Sequence, residues 1–154
     1  MLVNLNNNEL IGENYLRVIG DGKTLSFFKD KSFDVAFSNS VIEHLSTFED
    51  QELMAYNIQR ISNHYFIQTP AFIFPIEPHF LFPFFHWLPK SLKILFVKYF
   101  NLGWFEKQKN IAHARELILF IRILKKREIK KLFPNSIVIH EWVFGFVKSY
   151  LINK

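Results

Sequence analysis

The stretch SFDVAFSNSVIEHL, residues 32–45, decides the predicted fold of this chain. Its apolar run Val35-Ala36-Phe37 is typical of a strand that is buried on both faces of a sheet. The small polar residues Ser38, Asn39 and Ser40 follow at once. In open α/β sheets, ligands bind where parallel strands end in such polar loops. The stretch therefore predicts an α/β domain with a ligand site at the end of this strand.

Strands and helices alternate on both sides of this stretch. Further strands are predicted over Met1–Leu5, Tyr15–Ile19 and Tyr65–Gln68. Thr47, with Asp50 three residues later, forms a capping-box pattern and predicts the start of a helix. The final stretch SIVIHEWVFGFVKSYLI, residues 136–152, consists of two β-branched and aromatic runs, and it predicts an antiparallel strand pair.

Residues 71–110 differ in composition from the strands and helices around them. The part FPIEPHFLFPFFHWLP, residues 74–89, alternates prolines with large aromatic residues and has no regular period. Because each proline removes a backbone donor, we expect little regular structure here and no transmembrane helix. A short helix is predicted over Leu92–Phe100, and helical periodicity runs from Ala112 to Phe133.

Composition and charge limit the class of protein. The absence of cysteine excludes disulfide frameworks and thiolate metal sites and fits a reducing compartment, so we predict a cytoplasmic protein. The net charge of +5 is uneven, since Lys90 to Lys131 holds 12 basic and 3 acidic residues. This segment predicts either a solvated basic helix face or a peripheral contact with phosphate or an anionic membrane surface. No recognised nucleic-acid motif is present, so no nucleic-acid partner is predicted.

Taken with the preceding GDGKTLSF, residues 20–27, the stretch at 32–45 resembles the class I S-adenosylmethionine-dependent methyltransferases. The closest resemblance within that class is to the small type 11 methyltransferase domain, and it runs from about Val3 to the C-terminus. It implies a Rossmann-like α/β sheet that ends in a C-terminal antiparallel pair, with 71–110 as a lid-like insertion over the substrate. The family's glycine-rich loop is not found, so we expect a single partial domain over 1–154 that lacks the first strand and its helix.

The resemblance also implies where S-adenosyl-L-methionine would bind. Asp21 would accept a hydrogen bond from the adenine amine, and the Gly22 N–H would serve a ring nitrogen. Asn4 stands near the position where the family has an acid for the ribose hydroxyls, and an amide is a weaker acceptor than a carboxylate. Ser38 and Asn39 would border the cofactor at the end of their strand. The alternative for Gly-Asp-Gly is an ordinary turn, since these residues favour turns.

Histidines and one glutamate are the candidates for catalysis and acceptor binding. His44 is the best-placed general base, because it follows the strand that ends at the cofactor site. Its alternative role is that of a structural histidine in a short turn. The residues expected to bind the acceptor lie in the lid-like segment and are Glu77, His79 and His86. They could also ligate a metal, but no fixed-spacing metal signature fits them, so no metal site is predicted.

The function implied by the resemblance is methyl transfer to a small-molecule acceptor. Without the glycine-rich loop, we expect the chain to be either a piece of a longer methyltransferase or a non-catalytic remnant. In the first case a partner chain could supply the N-terminal part. The alternative function is that of a partner-binding protein that has kept part of the fold.

Overall fold

Two short strands begin the described part of the chain. The computed structural model describes residues 2–4 and 17–154, in which β1 (Leu2–Asn4) and β2 (Arg17–Ile19) pair in parallel with Val3 opposite Val18. These strands confirm the two that the sequence predicted before residue 20. Parts of both predictions, including Tyr15, lie outside the described residues.

The remaining strands form one mixed sheet and one small hairpin. They are β3 (Phe33–Asn39), β4 (Ser62–Pro70), β5 (Ile76–Glu77), β6 (Phe82–Pro83), β7 (Ile137–Val143) and β8 (Phe146–Asn153). The main sheet has the order β3-β4-β8-β7. β3 and β4 are parallel, whereas β8 is antiparallel to both of its neighbours. The predicted C-terminal antiparallel pair is therefore confirmed, with the last strand inserted inside the sheet.

Helices cover one face of this sheet. The described helices are α1 (Phe48–Ile61), α2 (Lys90–Tyr99), α3 (Ile111–Phe120) and α4 (Lys126–Leu132). α1 begins as predicted, because the Thr47 hydroxyl accepts a hydrogen bond of 3.1 Å from the Asp50 N–H. The apolar residues of α1 and α4 share one core with the sheet, and its fully buried members include Ile42, Ile67, Leu124, Ile129 and Ile152. The protein is thus a mixed α/β structure.

The opposite face of the sheet is apolar and open to solvent. By strand register, this outer face carries Val35, Phe37, Phe66, Leu151, Ile137 and Ile139. Val35 and Phe37 are 59% and 70% exposed, so the prediction that this run is buried on both faces is wrong. The reason is position: β3 is an edge strand, and only its alternate residues, such as Ala36, pack on the covered side. A continuous apolar run does not reveal whether a second layer is there to bury it.

Residues 71–121, called here the aromatic subdomain, form a second core. Contrary to the sequence prediction, this region holds regular structure: the β5–β6 hairpin, a 3-10 helix at Phe85–Trp87, and the helices α2 and α3. α2 confirms the predicted helix at Leu92–Phe100. Regular elements are compatible with the prolines because these lie at boundaries; Pro89 directly precedes α2. In the described chain, no helix is both long and apolar enough to cross a bilayer.

The predicted helical stretch from Ala112 to Phe133 is divided in two. α3 ends at Phe120, and the Arg122 N–H donates to the Glu43 carbonyl over 2.7 Å instead of continuing the helix. Leu124 is buried in the core of the main sheet, whereas Ile118 belongs to the core of the aromatic subdomain. The chain leaves the helical path because it must pass from one core to the other.

We expect trypsin to cleave the native protein first at Lys107 or Lys109, between α2 and α3. Both residues are exposed and lie outside regular structure, and such segments open locally at a lower free-energy cost than the strands of the main sheet. The measurement is limited proteolysis followed by mass spectrometry. The double variant Lys107→Gln, Lys109→Gln should lose this early cut. First cleavage within β3 or β4 would contradict a mobile subdomain.

Candidate functional site

A cleft lies at the carboxyl ends of the parallel strands β3 and β4. Its volume is about 460 Å³, and its lining includes Asn39, Ser40, Gln68 and Pro70. Ser40 has a left-handed backbone with φ of 52°, held by its N–H to the Gln68 carbonyl (3.1 Å) and its hydroxyl to Gln68 Oε1 (2.7 Å). A non-glycine residue in this conformation costs of order 1 kcal/mol and often marks functional loops. The cleft occupies the place where open α/β sheets bind ligands.

Asp21 and Gly22 lie in the turn that follows β2. Asp21 Oδ1 accepts a hydrogen bond of 2.8 Å from the Lys23 N–H, so its carboxylate also stabilises the turn itself. Lys23 Nζ lies 3.7 Å from Asp21 Oδ2 and 3.3 Å from Asp50 Oδ1, which ties the turn to the start of α1. Among the described residues, no atom other than those of its chain neighbours lies within 4 Å of the position that a Cβ on Gly22 would take.

The other predicted cofactor residues have different surroundings. Asn39 lines the cleft, whereas Ser38 is buried on the covered side of β3 and its hydroxyl has no hydrogen-bond partner. Asn4 is the last residue of β1, and its side chain lies outside what the structure describes. A shared binding site for all five predicted cofactor residues stays a prediction.

The structure brings His44 and His79 together with Glu43, which the sequence reasoning missed. One ligand atom from each of the three side chains lies within 4.8 Å of the other two. Glu43 and His44 belong to a 3-10 helix, Ile42–His44, just beyond β3, and His79 follows β5. The available signal for Glu43 was an acidic residue placed between an isoleucine and a histidine in an otherwise apolar turn.

Glu43 is fully buried at the junction of the two cores. Its Oε2 accepts a hydrogen bond of 3.2 Å from the Thr69 hydroxyl, while its Oε1 has no hydrogen-bond partner among the described residues. Burial raises the pKa of Glu43 above its ordinary value because a carboxylate loses its water shell there. A buried oxygen without a partner is costly and points to a ligand or proton that completes the site.

His79 is held by Glu77. The His79 ring Nδ1 lies 2.7 Å from Glu77 Oε1, and Glu77 Oε2 accepts from the backbone N–H groups of His79 (2.8 Å) and Phe80 (2.6 Å). Burial alone would lower the pKa of His79, but the hydrogen bond and charge of Glu77 outweigh it, and the pKa is raised. With Nδ1 engaged, Nε2 is the ring nitrogen that His79 can offer to a ligand.

The His44 ring lies against two rings of the aromatic subdomain, those of His79 and Phe120. Its ring centroid is 4.9 Å from that of His79 and 5.2 Å from that of Phe120 in α3. Its Nδ1 is buried and makes no hydrogen bond to any part of the chain that the structure describes. Burial, with the nearby His79, lowers the pKa of His44, so the ring is neutral at neutral pH. A neutral imidazole can act as a base or as a metal ligand.

His86 is separated from this cluster. Its Nε2 lies 2.7 Å from the Phe72 carbonyl, and burial lowers its pKa. It borders a cavity of about 170 Å³ whose lining also includes Glu77 and Lys93. Of the three predicted acceptor residues, Glu77 and His86 line this cavity, whereas His79 lies in the cluster with Glu43 and His44.

Several charges of the basic segment Lys90–Lys131 are paired within the protein. Lys93 Nζ donates to the His86 carbonyl over 2.8 Å, Arg122 pairs with Glu128, and Lys131 lies 3.6 Å from Glu52. These contacts reduce the charge that the segment can present to an anionic surface. A membrane contact through this segment stays a prediction.

Comparison with known proteins leaves the family open. No protein-family model matches the chain. Two uncharacterized proteins of Mycobacterium tuberculosis, MT1557 (strain CDC 1551 / Oshkosh) and Rv1509 (strain ATCC 25618 / H37Rv), are each 33% identical to it over 61 residues. The match covers 40% of this chain and 21% of either relative, so it spans about a fifth of the length of these curated relatives. Neither name states an activity.

Proposed function

We propose that this chain forms part of an S-adenosylmethionine-dependent methyltransferase that acts on a small molecule. The observation that carries the proposal is the strand order. β1 and β2 form a separate parallel pair, and β3-β4-β8-β7 form a sheet in which β8 is antiparallel. In the methyltransferase sheet, the first strand lies between the second and the fourth, and the last strand is inserted antiparallel.

The separation of the two sheets supports an incomplete methyltransferase fold. Among the described strands, none pairs with the outer edge of β3, the edge at which the family's first strand would lie. The outer face of the sheet is also uncovered, and Phe37 and Ile137 are 70% and 68% exposed there. Doubly wound α/β sheets carry helices on both faces. This exposed surface therefore resembles a sheet face that a layer of helices would normally cover. We therefore propose that a further segment or partner chain completes the sheet.

The residues near the adenine end fit the cofactor better than those elsewhere. Asp21 Oδ2 takes no part in the backbone hydrogen bond made by Oδ1 and lies 3.7 Å from Lys23 Nζ, and the described residues leave open the space where a Cβ on Gly22 would lie. These groups would bind the adenine amine and a ring nitrogen. When bound, S-adenosylmethionine supplies a methyl group on a cationic sulfur. The 154 residues hold no glycine-rich turn for the ribose and methionine, so binding by this chain alone is expected to be weak.

His44 is the base that this proposal requires. Its neutral ring can accept the proton of an acceptor hydroxyl or amine as that atom becomes the nucleophile. Glu77 and His79 would bind the acceptor on the other side, and the half-exposed Phe120 ring packs against the His44 ring. Such a site acts mainly by alignment and exclusion of water.

The proposal is tested by measuring whether the Asp21 carboxylate contributes to ligand binding. We expect S-adenosylhomocysteine at millimolar concentration to shift the amide resonance of Gly22 in a nitrogen–proton correlation spectrum. Asp21→Ala should weaken this binding by about 1–3 kcal/mol, the cost of leaving a buried polar group unpaired. The measurement is a titration of the uniformly labelled 154-residue chain with the ligand.

Two variants make this experiment specific. Asp21→Asn keeps an oxygen acceptor for the Lys23 N–H and should preserve the turn while weakening binding. Asp34→Ala removes an exposed carboxylate from β3 and should leave binding unchanged. If Asp21→Ala and the unaltered chain bind S-adenosylhomocysteine with equal affinity, Asp21 is not part of the binding site. Micromolar binding by the unaltered monomer would show that another segment replaces the glycine-rich loop.

The second candidate function is partner binding without catalysis. The observation that favours it is the outer face, which offers a protein partner a sheet edge and six apolar side chains. In this case the chain would retain the fold but not the activity. The ligand titration separates the two candidates, because a partner-binding remnant should not shift Gly22.

A further inference from the structure

We infer that Glu43, His44 and His79 form a binding site for one divalent transition-metal ion, with zinc as the ion that fits best. This inference goes beyond methyl transfer and does not depend on it, and a His44 ring that binds zinc cannot at the same time act as the base proposed above. The sequence alone predicted no metal, because these residues follow no known spacing and Glu43 was not among the candidates. Their approach within 4.8 Å arises only from the folding of two distant segments together.

The donor set is the one that zinc prefers. Zinc in proteins is bound by imidazole nitrogens, carboxylate oxygens and thiolates, and sites with two histidines and one glutamate leave a position for water or substrate. At bond lengths near 2.1 Å, tetrahedral ligand atoms lie roughly 3.4 Å apart. The observed separations of up to 4.8 Å would therefore close by about 1 Å on binding, a shift within the reach of side-chain rotation.

Two atoms of the cluster lack the partners that their burial requires. Glu43 is fully buried, yet within residues 2–4 and 17–154 its Oε1 has no hydrogen-bond partner, and the buried Nδ1 of His44 has none there either. Buried polar atoms are almost always satisfied by protein, water or an ion. A bound cation would satisfy the oxygen, and it would neutralise a carboxylate charge that the surrounding apolar core disfavours.

Neighbouring groups form hydrogen bonds with the side chains of the cluster, as outer-shell groups do with the ligands of metal sites. The Glu77 carboxylate engages His79 Nδ1 at 2.7 Å and leaves Nε2 for the ion. The Thr69 hydroxyl donates to Glu43 Oε2 over 3.2 Å, which leaves Oε1 as the oxygen that would bind the ion. Carboxylate–histidine–metal arrangements of this kind orient the ring and strengthen its donor nitrogen. Phe120 shields one side of the His44 ring, so the site has an apolar wall.

The test is a metal titration of the full 154-residue chain after treatment with a chelator. We expect one zinc ion per chain with a dissociation constant below about 1 μM, measured in competition with a chromophoric chelator. Cobalt in place of zinc should show the intense visible absorption of four- or five-coordinate geometry. X-ray absorption of the zinc-loaded chain should show two imidazole ligands. Stoichiometry per chain can be measured whatever the association state.

Variants assign the binding to these side chains. Glu43→Gln, His44→Ala and His79→Ala should each weaken zinc binding by on the order of 100-fold or more, and Glu77→Gln by about 10–100-fold as an outer-shell change. His113→Ala removes an exposed histidine of α3 outside the cluster and should leave the affinity unchanged. Circular dichroism confirms that each variant is folded.

Three results would overturn the inference. The first is the absence of stoichiometric zinc binding by the unaltered chain, a measurement that no variant's folding affects. The second is an X-ray absorption spectrum without imidazole ligands. The third is an unchanged affinity in folded His44→Ala and His79→Ala. Each of these results leaves the methyltransferase proposal standing, because S-adenosylhomocysteine binding is measured at Gly22.

Discussion

Replacing Val35 and Phe37 together by lysine is expected to convert the purified chain from a self-associating species to a monomer. Both side chains are mostly exposed on β3, whose outer edge is unpaired among the described strands. Unpaired edges and large apolar patches are templates for association with another chain. Two large side chains at the centre of an interface contribute about 1 kcal/mol or more each, so association should weaken at least about tenfold.

The measurement is light scattering coupled to size-exclusion chromatography over a range of concentrations. Trp104→Lys is the matched control, because Trp104 is 76% exposed but lies in the aromatic subdomain, away from the sheet. This control should associate as the unaltered chain does. The expectation fails if the unaltered chain is monomeric at high concentration, or if the double lysine variant associates as strongly as the control.

The second large effect is a loss of stability on replacing a residue in the core of the main sheet. Ile67 lies on β4, is fully buried, and packs in the core between the sheet and the helices. Ile67→Ala should lower the free energy of unfolding by about 2–5 kcal/mol, because it removes apolar contacts and leaves a cavity. A domain of marginal stability could lose its cooperative unfolding transition altogether.

Ile137→Ala provides a control with the same chemical change in the same sheet. Ile137 lies on the outer face and is 68% exposed, so its replacement should change stability by no more than about 0.5 kcal/mol. Urea denaturation of both variants in the monomeric lysine background avoids coupling to association. Equal losses at Ile67 and Ile137 in this monomeric background would mean that the outer face is covered within the monomer itself.

The sequence predicted well those helices and strands whose formation depends on residues close together in the chain. The Thr47 hydroxyl and the Asp50 N–H are three residues apart, so the helix start they define depends on nothing distant. The terminal pair β7–β8 was predicted from residue type and a short turn, and its antiparallel register needs only neighbouring residues. Capping and turn formation act over a few residues, so the sequence can report them.

The burial of β3 and the division of the last helical stretch could not be predicted in this way. Val35 and Phe37 have the composition of a buried strand, but burial requires a second layer above them. The break after α3 is set by the Arg122 N–H bonding to the Glu43 carbonyl and by Leu124 entering a different core from Ile118. In both cases the deciding contacts come from distant parts of the chain.

The sequence by itself determined the mixed α/β class and the antiparallel end of the sheet, and it singled out His44 and His79 as candidate site residues. These conclusions follow from local periodicity and from the few residue types that can exchange protons near neutral pH. Only the tertiary structure decided that Glu43 joins the two histidines, that His86 lies apart, and that one apolar face of the sheet is open. Distances between side chains of remote segments depend on how layers pack, and packing is a property of the whole fold rather than of any stretch of sequence.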